Sequence, residues 1–107
     1  MPKGKSHAKD YQEFLLETLK DPVEAVEYLN ASLEAGEGKP ELFLMALRNV
    51  AEAHGITQLA RKTKLNREYL YTMLSKKGNP RYQSLIKLLR AMGIRLAFEL
   101  EDEKKAI

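Results

Sequence analysis

Between residues 66 and 75 six side chains can hydrogen-bond to planar polar edges or to anions: Asn66, Arg67, Glu68, Tyr71, Thr72 and Ser75. Arginine donates through a planar fork, the amide and hydroxyls donate and accept, and the carboxylate accepts. These types read base edges or hold phosphates. Arg67, at the start of the stretch, suits a guanine O6 and N7, a contact worth roughly 1–3 kcal/mol of discrimination. Glu68 either accepts from a cytosine N4 or holds Arg67 in place, and the second is the favoured reading. Asn66 has a second role open to it, as the cap of a helix. Gln58 and Arg61 before the stretch, and Lys76, Lys77 and Arg81 after it, suit phosphate contacts.

The elements that must carry these residues follow from the apolar spacing. Thr57 to about Thr63 reads as a helix with Leu59 and Ala60 inward, and Asn66 caps another from Arg67 to about Ser75, with Leu70, Met73 and Leu74 inward. Two short helices over a tight turn make a helix-turn-helix across residues 57–75. Ala60 is small where the helices cross, and Leu59, Leu65, Leu70 and Met73 supply their shared core. Many such turns carry Gly; here Lys64 must take the left-handed conformation, at modest cost. The bland alternative is a helical hairpin whose outer face is merely soluble.

Around this unit the chain reads as helical. Residues 1–9 are polar and basic and are expected to be disordered. A short amphipathic helix runs from Asp10 to Leu19. Asp21 caps a second, with Pro22 at its first position, Glu24 three residues after the cap, and an apolar stripe of Val26, Leu29 and Leu33 before Gly36 stops it. Pro40 opens a third, apolar nearly all round through Leu42, Phe43, Leu44, Met45, Ala46, Leu47 and Val50, a pattern that predicts burial. After Gly78-Asn79-Pro80 a last helix reaches Met92, with Tyr82, Leu85, Ile86 and Leu89 inward. Met45, Met73 and Met92 are expected in the packing. Ile94, Leu96, Phe98 and Leu100 then alternate with Arg95, Ala97, Glu99 and Glu101, the period of a strand. A lone strand lacks a partner in this chain, so it is expected to pair across a dimer, or with another protein's sheet. The expected organisation is a tail (1–9), an N-terminal helical arm (10–38), a DNA-binding domain (39–93), a dimerisation strand (94–101) and a second tail (102–107).

Charge is divided sharply along the chain. Residues 1–55 carry 6 Lys/Arg against 10 Asp/Glu, residues 56–95 carry 10 against one, Glu68, and residues 96–107 carry 2 against 4. A face kept polar only for solubility mixes signs; this middle segment does not, and it predicts a polyanionic partner. The acidic first half, over residues 10–36, suits a basic partner instead. No cysteine is present, which excludes disulfides and thiolate metal sites and suits a reducing cytoplasm. No apolar run approaches the roughly 18 residues of a membrane span, and no apolar segment follows the basic start. No membrane association is therefore expected. His7 and His54 belong to no metal-spaced set or catalytic grouping, and the glycines form no phosphate loop. Neither an enzyme nor a cofactor is expected.

The run Gln58-Leu59-Ala60-Arg61-Lys62-Thr63, followed by Leu65-Asn66-Arg67-Glu68, Tyr71, Leu74-Ser75, Gly78-Asn79-Pro80 and Lys87-Leu88-Leu89-Arg90-Ala91-Met92-Gly93, resembles the addiction-module antidote proteins. These are small antitoxins of the Cro/C1 (XRE-type) helix-turn-helix class. The likeness runs from about Tyr11 to about Leu100 and is more specific than a bare helix-turn-helix. It implies an all-α Cro/C1-type bundle, here with an N-terminal arm and a single C-terminal β-strand paired across a homodimer. It also implies a neighbouring gene for a small basic toxin of RelE/ParE type, neutralised by this chain, and repression of the shared promoter through double-stranded operator DNA. A free-standing repressor of phage type, without a toxin, is the alternative reading.

Overall fold

The computed structural model describes residues 3–37 and 39–101, with side chains from residue 9 onward. It contains six helices: α1 (Lys3–Thr18), α2 (Pro22–Ala35), α3 (Pro40–His54), α4 (Ile56–Thr63), α5 (Arg67–Met73) and α6 (Tyr82–Ala91). Their ends follow local chemistry. The Asp21 carboxylate accepts from the Val23 N–H at 2.9 Å, Pro22 opens α2 without wasting a donor, and the Gly36 N–H closes it on Ser32 O. α3 passes into α4 through one residue, Gly55, at φ +114°, a conformation that side chains rarely adopt.

α3 is the central element: α1, α2 and α4 pack on it, and α4 in turn carries α5 and α6. The core runs through all of them. Leu47 of α3, Leu59 of α4, Leu70 of α5, Leu74 just beyond it and Leu88 of α6 are its largest fully enclosed side chains. Small residues, Ala25 on α2 and Ala46 and Ala51 on α3, are also buried and let helices approach closely. No helix among the described residues is long and apolar enough to cross a membrane.

The all-helical expectation holds, but the C-terminal strand does not: the described residues contain six helices and no strand. The chain leaves α6 through Gly93 at φ +77°, and the Ile94 N–H bonds back to Leu89 O at 2.8 Å. Ile94 is half-buried against the core, Leu96 is exposed, and Phe98 and Leu100 are 95% and 97% exposed. Alternation gives a segment the faces of a strand, but a strand exists only with a ladder partner, and no neighbouring backbone supplies one. Ile94 therefore packs on its own core, while Leu96, Phe98 and Leu100, expected with it at a dimer interface, stand exposed.

Several other residues fall differently from what their spacing suggests. α2 faces α3 through Ala25 and Leu29, with Tyr28 and Ser32 beside them, so Val26 and Leu33 fall on its exposed flank. Met45 and Leu42 of α3 are also exposed, whereas Met73 and Met92 are buried as expected. Tyr82, expected inward, is 70% exposed, because α6 buries Ser84, Leu88 and Leu89 instead. At the other end, α1 begins at Lys3, inside the segment expected to be disordered; no Pro or Gly between residues 5 and 18 stops it. The tail 102–107, residues 1 and 2, and Gly38 lie outside the described residues.

Gly78 is held by space. It ends the turn after α5, where its N–H donates to Ser75 O at 2.8 Å, and a Cβ there would collide with the Met73 carbonyl oxygen and lie 2.9 Å from Ser75 O. Gly78→Ala should therefore lower stability by about 1–3 kcal/mol in urea unfolding, because backbone must move to make room.

Candidate nucleic-acid interface

Two short helices and three residues between them organise the polar residues. α4 buries Ile56, Leu59 and Thr63 on one face and leaves Gln58, Arg61 and Lys62 exposed on the other. Lys64 turns the chain at φ 62° and is the one described non-glycine residue with positive φ. Thr63 braces that turn from inside: its hydroxyl donates to Leu59 O at 2.7 Å and accepts from the Leu65 N–H at 3.2 Å. Asn66 then caps α5, its side-chain oxygen accepting from the Tyr69 N–H at 2.6 Å. Its amide NH₂ is left to donate elsewhere.

Lys64→Gly should raise stability by about 0.5–1 kcal/mol, since glycine carries no steric penalty at this φ, although it loses more entropy on folding. Urea unfolding of the two proteins checks this; a loss would mean the lysine side chain holds the turn.

α5 sits on Leu70 and Met73 and presents Arg67, Glu68 and Thr72 outward, with Ser75 half-exposed just past its end. Thr72 donates its hydroxyl hydrogen to Glu68 O at 2.9 Å and Ser75 donates to Thr72 O at 2.8 Å. With those hydrogens committed, Glu68, Thr72 and Ser75 face outward as acceptors, while Arg67 and the Asn66 amide are donors at the start of the helix. Neither of the two ion pairs among the described residues involves Glu68, so the expected pairing with Arg67 is not formed. Tyr71 sits on the flank rather than the summit of α5: it is half-buried, with the Arg48 guanidinium of α3 at 5.3 Å from its ring centroid. Tyr69 on the other flank shares a hydrogen bond of 3.1 Å with Ser84 of α6 and ties the two helices together.

Cations line three depressions along α4, α6 and the start of α5. Gln58 and Arg61 flank a shallow depression with Lys62. Asn66 and Arg81 line a second, with Lys64, Tyr69 and Lys87. A third lies between Lys62, Lys64, Lys87 and Arg90. Lys76 and Lys77 stand exposed on the turn after α5. Among the described residues no cation from 56–95 lies within ion-pair distance of a carboxylate. Burial, and then the positive charge of Lys62, hold the His54 imidazole below its ordinary value. Lys62, Lys87 and Arg90 were not read from the sequence as phosphate contacts, nor was Lys64, read there only as the turn residue; yet Lys87 and Arg90 are spaced i, i+3 on the side of α6 away from Leu88 and Leu89, and the helical period could have found them. Uncompensated cations beside a helix of donors and acceptors can neutralise phosphates while that helix meets base edges.

A family model described as "probable addiction module antidote protein" matches residues 10–100. The chain belongs to this antidote family. A protein of Haemophilus influenzae (strain KW20 / Rd), described as uncharacterized, is 37% identical over 79 residues, which cover 74% of this chain and 77% of that protein. No solved structure matches the chain. The match takes in all of α2 to α6 and the second half of α1, so the N-terminal helices belong to the antidote as much as the α4–α5 pair does. An antidote implies a toxin as its partner.

Proposed function

We propose that this antidote is a sequence-specific DNA-binding antitoxin rather than an enzyme, with α4 and α5 as its helix-turn-helix. The observation that carries the reading is the set of ten cations between residues 56 and 95, opposed by one acid and free of ion pairs among the described residues. Several of these cations line depressions along α4, α6 and the start of α5. α5 enters the major groove, Arg67 forks onto guanine, and Glu68, Thr72 and Ser75 accept from the exocyclic amines of cytosine or adenine. Gln58, Arg61, Lys62, Lys64, Lys76, Lys77, Arg81, Lys87 and Arg90 hold the flanking phosphates. α5 has seven residues, about 10 Å of helix and so about three base pairs of groove. That is too short to specify a site, which favours a homodimer spaced about 34–36 Å between α5 helices on a two-fold operator.

The operator lies in the promoter the chain shares with a small basic toxin of RelE/ParE type, which it neutralises in the cytoplasm. A reporter driven by the DNA upstream of the chain's own gene should fall when the chain is supplied in trans. Growth arrest by the product of the adjacent gene should be relieved by the same chain. Repression without relief would favour a free-standing repressor; relief without repression would assign the basic surface to something other than the promoter.

A further inference from the structure

α1 rests on α3 through Gln12, whose amide donates to Asn49 Oδ1 at 3.1 Å, and it puts Leu15, with Leu19 just past its end, into the core. Its opposite face should be the most polar surface of the helix. Instead it carries Phe14, 70% exposed, with Tyr11, 67% exposed, on the flank one turn earlier. Asp10, four residues before Phe14, and Glu17, three after it, lie beside Phe14, with Glu13 further round, so the acids border the aromatic pair along one side; Glu17 pairs with exposed Lys20 at 3.1 Å. Across residues 10–37 there are eight acids and one base, Lys20.

Two adjacent exposed aromatics on a helix that needs neither for its own packing mark a binding surface, because each buries large area only against a partner. Their acidic surroundings select that partner. Nucleic acid and anionic lipid are repelled. A second copy docked face to face would set Asp10, Glu13 and Glu17 against their equivalents, which costs both copies. A basic protein with an apolar patch satisfies both features.

We infer that Tyr11 and Phe14 are the apolar anchors, and Asp10, Glu13 and Glu17 the acidic rim, of the surface through which this chain holds its toxin. The assignment rests on the antitoxin reading above. It places toxin binding on α1 and DNA binding on α4 to α6, two surfaces of opposite charge on one chain, so that both partners can be held together.

The test uses the full chain and the purified product of the adjacent gene, titrated by calorimetry. The double variant Tyr11→Ser/Phe14→Ser should lose affinity by roughly 100-fold, as expected when central aromatic anchors are removed. Asp10→Lys/Glu13→Lys should lose at least about 10-fold, and its binding should respond less to salt. Val26→Ser/Leu33→Ser, which alters exposed apolar residues of α2, should bind within about threefold of the native chain. All variants should keep native helical circular dichroism and native affinity for DNA. Should the aromatic pair be needed for folding, the charge-reversed chain reads the same surface. Tight native binding that survives both α1 double variants within about threefold overturns the assignment while leaving the antitoxin reading intact. Failure of the native chain to bind the adjacent product defeats the antitoxin reading and the assignment with it.

Discussion

Arg67→Ala should cut affinity for the operator by roughly 10- to 100-fold, while affinity for scrambled DNA falls by only a few-fold. The residue stands at the first position of α5, exposed and unpaired with its neighbour Glu68. Removing it therefore deletes an outward donor fork and leaves the core untouched. A hydrogen-bonded guanine edge contributes only where that guanine is present, so the loss should be confined to the cognate site. Alanine at Lys62, Lys87 and Arg90 should act differently. Those variants should weaken both DNAs in parallel and flatten the salt dependence by about 0.9 in log–log slope for each phosphate that is no longer neutralised. Competition binding at two salt concentrations separates the two patterns. Equal losses on both DNAs for Arg67→Ala would remove its base-reading role and make it one more phosphate-holding cation.

The second large effect is on stability. Leu70 is fully enclosed beneath α5, packed in the core that joins α4, α5 and α6. Leu70→Ala should cost about 3–5 kcal/mol, from the forfeited transfer energy plus the cavity left behind. Against a total of about 5–15 kcal/mol this is a large share, and the variant should lose DNA binding as the domain begins to unfold. Leu33→Ala is the informative control. Leu33 belongs to the stripe that spacing alone assigns to the core of α2, yet it is 53% exposed, so its removal should cost less than about 1 kcal/mol. Urea midpoints for the two variants measure the contrast; equal losses would mean that α2 packs elsewhere in solution.

The residues that could be read in advance are those whose signal is local. Asp21 and Asn66 announce helix starts because a short polar side chain satisfies the free N–H groups beside it, and both do so here. Lys64 takes the left-handed turn that the spacing of the two helices demands. Leu59, Leu70 and Met73 follow the helical period into the core. What could not be read depends on partners distant in sequence. Val26 and Leu33 are apolar at the right spacing, but the small Ala25 lets α2 lie close to α3 on a neighbouring line. Residues 94–101 alternate like a strand and have no ladder to join. Tyr71 looked outward on α5, yet Arg48 of α3 covers its ring. Glu68 and Arg67 are adjacent in sequence, but the helix sends their side chains about 100° apart, and they form no ion pair.

The antidote family covers most of this chain, so a toxin partner follows from membership alone. Reading of a DNA sequence by the basic surface of α4 to α6 is the step on which the proposed function turns. It is tested most directly by measuring affinity for the DNA upstream of the chain's own gene against a scrambled duplex of the same length, across a salt series. A preference of about 10³-fold or more is expected, with affinity for both duplexes falling steeply as salt rises. A ratio near one at every salt concentration would contradict it and leave α4 to α6 as a general anchor for polyanions.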